Sequence, residues 1–407
     1  MKKIFLFLIF IIASKVLSQK TTEMIASSKL NEEREITIGL PLYYDKNPEK
    51  KYPLLILLDG DYLFDPFQGA LNYGAYWDDL PEVIIVGISQ NKNNERELDC
   101  ATDNANGLPI DKGEKFYEFI GLELIPYIQK KYRTTSFKII AGHDTTAGFL
   151  NSYLYKDQPL FNAYISLSPE LKSGMVEQIP ERLAFMNQQI FYYQSTSDGD
   201  IKKEQKSIRD LDQLAKAIKK PNLNYKFDDF KESNHYSLVL KSIPNALYQI
   251  FDAYKPISSS EFLDKIVVLK SGFVDYLSNK YDALEKTLNI KMPIRINDFK
   301  AIEAAILKNK AYSEFETLSE LAKKNYPKTM LSDYHLAMMY EKTDDLKKAA
   351  KAYINAFQKE EIGSLTKNMM FDKSEELKSL IPSKDAKIIE QTEPIIEQPT
   401  EEKKAEK

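Results

Sequence analysis

A chain of 407 residues can hold two domains and bury a large core, and 43% hydrophobic, 12% aromatic and 29% charged residues is the composition of an ordinary globular protein. The 56 Lys and Arg against 60 Asp and Glu leave a net charge of −4, which excludes the basic field expected of a nucleic-acid or anionic-membrane partner. The single cysteine, Cys100, excludes an internal disulfide, so it reads as a plain small side chain and stability must come from the core.

The N-terminus has the parts of a signal peptide. Lys2 and Lys3 give a positive start, residues 4–13 are an unbroken apolar run, and Val16-Leu17-Ser18 precede a cut near Gln19. This predicts a signal peptide over residues 1–18 and an exported chain, periplasmic or secreted. The alternative is an uncleaved anchor, but the run falls short of the ~20 residues that a span needs. No cysteine stands at the cut, so no lipid is expected there, and no other run suggests a membrane span once the signal is removed.

Residues 35–43 alternate like a strand. Residues 52–59, 82–88, 137–142, 163–168 and 189–194 are short runs apolar on both faces, as in parallel strands covered by helices on each side. Between them, residues 115–131 place Phe116, Phe119, Ile120, Leu124, Tyr127 and Ile128 at helical spacing, and residues 208–218 do the same. Strand–helix alternation predicts an α/β fold, doubly wound on a mostly parallel sheet, over residues 19–255. After Pro256 the pattern is helical only, giving an all-α region over residues 256–382. Within it, residues 329–361 resemble a tetratricopeptide repeat, with Leu336, Ala337, Tyr340, Ala349, Tyr353 and Ala356 at its packing positions. Residues 300–327 fit a second repeat more loosely, through Ala322 and Pro327. The tail over residues 383–407 is dense in Glu, Lys and Pro and is expected to be disordered.

The stretch Gly142-His143-Asp144-Thr145-Thr146-Ala147-Gly148 follows an apolar strand and precedes the helical residues 149–155, the context of a nucleophile elbow. Around it runs an ordered series of motifs. Upstream are Tyr52-Pro53, Leu57-Leu58-Asp59-Gly60-Asp61, Val86-Gly87-Ile88 and Arg96-Glu97-Leu98. Phe116, Glu123-Leu124-Ile125-Pro126-Tyr127-Ile128 and Tyr132-Arg133 lead into the elbow, and Phe161, Ser168-Pro169 and Asn234-His235-Tyr236-Ser237 follow it. Over about residues 31–254 the series resembles the putative esterase family of the α/β-hydrolase superfamily, which includes enterochelin esterases and S-formylglutathione hydrolase. The nearest likeness is to its periplasmic, siderophore-esterase-like members.

The resemblance implies a nucleophile at Asp144, a general base at His235 and an acid on the loop after an intermediate strand, where Asp198 is the first choice and Asp200 the second. It implies an oxyanion hole from the backbone N–H of Asp61 or Tyr62 and of Thr145. The loop carrying Asp198 and Asp200 is also what any turn rich in Asp and Gly looks like. His143 reads as structural, and His335 as surface or packing.

The departure is at the centre. Where the family has serine this chain has Asp144, and Thr145 and Thr146 stand for two small residues. A carboxylate attacking an ester carbonyl would form an acid anhydride, an uphill product, so Asp144 is unsuited to ester chemistry. It reads best as a helix N-cap, since Asp accepts from the first free N–H groups and tolerates positive φ. The alternative is a nucleophile for a saturated carbon, as in epoxide hydrolases, although Thr146 adds bulk where such a turn needs room. Thr145, one position past the tip, should point away. No metal spacing, phosphate loop or dinucleotide fingerprint is present, so no metal or cofactor is expected. The favoured reading is a degenerate esterase with a binding or scaffolding role, its partners an ester-like small molecule in the old site and a protein on the helical repeats. The alternative is an active hydrolase, on a carboxylic ester or, through Asp144, on an epoxide- or halide-type substrate.

Overall fold

In the computed structural model, which describes residues 20–381, the runs apolar on both faces form the middle of one eight-stranded sheet. Its strands are β1 (Lys20–Ser27), β2 (Glu32–Gly39), β3 (Tyr52–Leu57), β4 (Ile84–Ile88), β5 (Thr134–His143), β6 (Ala163–Leu167), β7 (Ile190–Gly199) and β8 (Leu223–Asn234). Their spatial order is β1-β2-β4-β3-β5-β6-β7-β8. β1 pairs antiparallel with β2 and β2 antiparallel with β4, and all later neighbours are parallel. Every residue of β3, β4 and β6 is buried, as a sheet covered on both faces requires.

β1 and β8, which the sequence pattern does not announce, are the two edges. β1 opens with exposed Lys20, Thr21 and Thr22, and β8 is half-buried along most of its length. A strand with one neighbour and one wet side has no continuous apolar run to reveal it.

The covering helices are α1 (Gly60–Tyr76), α2 (Glu95–Asp99), α3 (Asp111–Glu118), α4 (Ile125–Lys131), α5 (Thr145–Phe149), α6 (Met175–Phe185), α7 (Lys202–Ala217) and α8 (Ser237–Ile250). The single helix predicted over residues 115–131 is α3, a π-helical segment (Phe119–Leu124) and α4. Pro126 has no N–H to give to the preceding turn, and the widened turn accommodates that loss. Of the apolar face named from the sequence, Phe116, Phe119, Ile120, Leu124 and Ile128 have no exposed surface, and Tyr127 is half-buried against the same core. Phe116 and Phe119 stack, and Phe116 meets Phe149 with ring centroids 5.7 Å apart.

The chain divides into two units after Pro256, close to the change of pattern in the sequence at 255/256, and residues Lys280–Met292 belong to the first unit. The second unit holds α9 (Ser259–Glu261), part of α10 (Phe273–Leu288), and α11 (Ile296–Asn309), α12 (Glu314–Asn325), α13 (Leu331–Lys342), α14 (Leu346–Phe357) and α15 (Lys367–Ser379). Each helix from α12 to α15 packs on the next. Ala337, Ala349, Tyr353 and Ala356 are buried, while Leu336 and Tyr340 are half-buried. His335 is fully buried and stacks on both Phe299 and Phe315. The expected signal peptide and charged tail lie outside the described residues.

One close approach sets the turn after β5. A Cβ on Gly148 would lie 2.2 Å from the carbonyl oxygen of Glu170, which is backbone and cannot swing aside. Gly148→Ala should therefore destabilise the domain by about 1–3 kcal/mol. Gly69, in the interior of α1 with open space around it, should accept Ala with a gain of about 0.5–1 kcal/mol. Urea denaturation of the two variants checks the contrast, and a neutral Gly148→Ala would contradict the packing described.

Candidate active site

Because the parallel strands run one way, the residues that follow them gather at one end of the sheet: Asp59 after β3, Gln90 after β4, Asp144 after β5, Ser168 after β6, Asp200 after β7 and His235 after β8. Asp144 sits at φ 60°, ψ −119°, a sparsely populated conformation whose strain is about 1–3 kcal/mol. Its N–H donates to Leu167 O at 3.0 Å, and its C=O accepts from the N–H groups of Gly148 and Glu170, both at 3.0 Å. The main chain is thus pinned from both sides in a sharp strand-to-helix turn.

The Asp144 carboxylate does not cap α5, which corrects the N-cap expectation. Its Oδ2 accepts from Arg96 Nη1 at 3.3 Å and from Thr145 Oγ1 at 3.4 Å. The positive φ turns the side chain away from the helix N–H groups and toward the cleft. Thr145 also corrects an expectation. Its hydroxyl faces Asp144 and Glu170 Oε2 (3.2 Å) instead of turning away. Thr146 fits the tight turn because Gly142 leaves it room: a Cβ there would stand 2.7 Å from Thr146 Oγ1. That hydroxyl accepts from His143 N–H at 2.9 Å and donates to Asp59 Oδ2 at 2.6 Å.

Arg96 joins these pieces. Its Nε and Nη2 grip Asp59 at 2.6 and 3.2 Å, Nη2 also donates to the His143 carbonyl at 2.8 Å, and Nη1 reaches Asp144. Burial opposes its charge, but Asp59 and Asp144 hold it firmly protonated. Arg96 is placed by α2, whose last residue Asp99 is fully buried against Arg34 of β2 and accepts from Gln90 Nε2 at 3.2 Å. Asp59 itself has no exposed surface and also lies 2.9 Å from the Tyr62 hydroxyl.

The carboxylate that meets His235 is that of Asp200, the second choice of the sequence, and not that of Asp198. Asp200 Oδ1 is 2.7 Å from His235 Nδ1, and its Oδ2 accepts from Ser168 Oγ (2.7 Å) and Thr196 Oγ1 (2.8 Å). Burial pushes its carboxyl up, but these bonds outweigh burial and hold it below the usual carboxylate range. Asp198 is exposed and accepts from the Glu232 N–H at the edge of β8. The Asp200 bond raises the His235 pKa against burial. His235 Nε2 faces Asp144 Oδ1 at 4.0 Å, and among the described residues no hydroxyl is hydrogen-bonded to that nitrogen. Ser168 Oγ, 3.1 Å from Nδ1, is on the wrong side of the ring to be activated.

His143, expected to be structural, is buried, with Nε2 donating to the His235 carbonyl at 3.0 Å and Nδ1 3.1 Å from the Tyr62 hydroxyl. Burial, then the neighbouring His235, lowers its pKa. Of the oxyanion candidates, Tyr62 N–H is spent on the Asp59 carbonyl at 3.2 Å. Asp61 and Thr145 keep their places in the first turns of α1 and α5, where N–H groups have no partner within the helix. The Asp61 carboxylate is tied to Ser89 Oγ (2.7 Å) and Gln90 N–H (2.8 Å). Glu204, in the first turn of α7, is a site residue that sequence reasoning missed. Burial, then the Asp144 charge, pushes its pKa up to about 7. An open cleft of about 680 Å³ lined by Asn94, Arg96, Leu98, Thr145, Glu170 and Lys172 adjoins the elbow.

Residues 27–220 match the family model described as putative esterase. No curated protein sequence matches the chain. Among solved structures, an uncharacterised protein from Capnocytophaga ochracea is 29% identical, with a TM-score of 0.81 over 89% of this chain and 100% of that one. An IroE-like serine hydrolase from Shewanella oneidensis is 20% identical, with a TM-score of 0.58 over 75% and 99% of the two chains. The BES protein from Bacillus cereus is 20% identical, with a TM-score of 0.50 over 57% and 96%.

Removing the guanidinium strands the fully buried Asp59, so Arg96→Met should cost about 3–5 kcal/mol in urea denaturation. By the same measurement Asp200→Asn, which weakens a buried charged network, should cost about 1–3 kcal/mol. Asp198→Asn, on the surface, should stay within about 0.5 kcal/mol of the parent.

Proposed function

With its α/β domain a member of the putative esterase family, we propose that this chain is an exported esterase relative that has given up the serine mechanism and works by binding. The observation that carries the proposal is the elbow itself. Its backbone keeps the conformation of a nucleophile turn, but its tip is Asp144, a carboxylate paired with Arg96. An attack by that carboxylate on an ester carbonyl leads uphill to an anhydride, and the ion pair further lowers its nucleophilicity. The cleft beside it, with Thr145, Arg96 and Lys172 on its walls, suits a small ester-like or carboxylated ligand. The helical region, tetratricopeptide-like in its buried small residues, is the surface we assign to a protein partner.

A second reading is favoured by one observation. His235 is oriented by Asp200, and its Nε2 faces Asp144 Oδ1 at 4.0 Å. That arrangement would serve a carboxylate that attacks a saturated carbon, breaking its bond to a halide or an epoxide oxygen and forming an alkyl ester, which water deprotonated by His235 then hydrolyses at its carbonyl to free the carboxylate and an alcohol. The Arg96 contact to Asp144 weighs against it.

Hydrolysis of short p-nitrophenyl esters tests the proposal. The purified protein should be no faster than its His235→Ala variant. Asp144→Ser should gain activity of about 10²-fold or more, the scale of restored general-base catalysis. Parent activity that disappears in His235→Ala would overturn the proposal.

A further inference from the structure

We propose that Asp144, Glu204 and His235 form a binding site for a divalent first-row transition-metal ion, with Zn²⁺ its simplest occupant. This rests on the reading above only in taking Asp144 as something other than a nucleophile. Each residue offers one ligand atom, and these atoms all lie within 4.8 Å of one another. Ligands about a tetrahedral Zn²⁺ at ~2.0–2.2 Å stand ~3.4 Å apart, so a contraction of at most about 1.4 Å closes the site. The three residues come from three segments: the elbow, the first turn of α7, and the end of β8.

The hydrogen bonds leave the right atoms free. The two oxygens of Asp144 divide the work: Oδ2 faces Arg96 and Thr145, and Oδ1 faces His235. Asp200 at His235 Nδ1 fixes the proton there and leaves the Nε2 lone pair pointing toward Asp144, the carboxylate–histidine arrangement that orients metal-bound imidazoles. Glu204 is only 8% exposed, and its Oε2 has no hydrogen-bond partner; it lies 3.8 Å from His235 Nδ1, so its carboxylate must turn toward the Nε2 side to join the ion. A buried carboxylate oxygen without a donor is costly, and a cation supplies the missing partner. Two carboxylates and a neutral imidazole carry a charge that a divalent ion cancels, with donor atoms that suit zinc or manganese over soft Cu(I). The Asp144 side chain is partly open to solvent, so a fourth position can take water or a ligand group.

The test is calorimetric titration of the chelator-treated full chain with ZnCl₂. One equivalent should bind saturably. Glu204→Gln and Asp144→Asn should each weaken it about 100-fold or more, and Asp200→Asn about 10–100-fold by loosening His235. Histidine-ring NMR of the unmutated protein gives a measurement that needs no variant: Zn²⁺ should move the signals of His235 most, those of the neighbouring His143 less, and leave those of His335 in place. Absence of saturable binding, binding that survives both ligand variants, or a response confined to His143 or His335 would overturn the site. The readout is equilibrium binding, so its failure leaves the loss of the serine mechanism standing. Ester hydrolysis by the metal-free protein would overturn that loss without touching the metal site.

Discussion

Asp59 is a carboxylate with no exposed surface, and it is tolerated there because Arg96 is laid against it side-on, with the hydroxyls of Thr146 and Tyr62 filling its remaining positions. A buried charge without such a partner would cost several kcal/mol. The same guanidinium reaches the His143 carbonyl and the Asp144 carboxylate, so one cation ties the turn after β3 to the turn after β5. The geometry of the cleft follows from that bridge. Arg96 in turn is held by its short helix, whose last residue is locked to Arg34 and Gln90.

This bridge also decides what Asp144 can do. An acyl-transfer nucleophile needs a hydroxyl whose proton the histidine can take and an open approach to the substrate. The residue at the tip has no proton to give, and one of its oxygens is already paired. Across the cleft the histidine and its acid remain in working alignment, with Asp200, Ser168 and Thr196 forming a closed network behind the ring. A catalytic-type base facing a carboxylate is poorly suited to ester chemistry and well suited to holding charge: a protonated imidazole, an ion, or a polar ligand.

Much of the fold is legible in the sequence because central parallel strands are apolar on both faces and their helices keep a regular stripe. The edge strands are not, since β8 alternates Tyr225 and Phe227 with charged neighbours and has only one dry side. The elbow is legible from its glycines and its place between strand and helix, and His235 from its polar loop. The order of Asp198 and Asp200 is not, because both sit in a turn-forming string and only the path of the chain after β7 shows which one faces the ring. Arg96 is visible as a motif residue, but its role depends on a salt bridge across 37 positions of sequence. Glu204 is hidden among the lysines of α7, where a carboxylate reads as a solvated helix face until burial shows otherwise.

The central claim is that the elbow carries no group able to accept an acyl or phosphonyl unit. Intact-mass analysis after treatment with a fluorophosphonate probe tests it most directly. The unmutated protein should keep its mass, while Asp144→Ser should gain a single label that maps to position 144. A label on the unmutated chain at Thr145, Ser168 or any other cleft side chain would contradict the account.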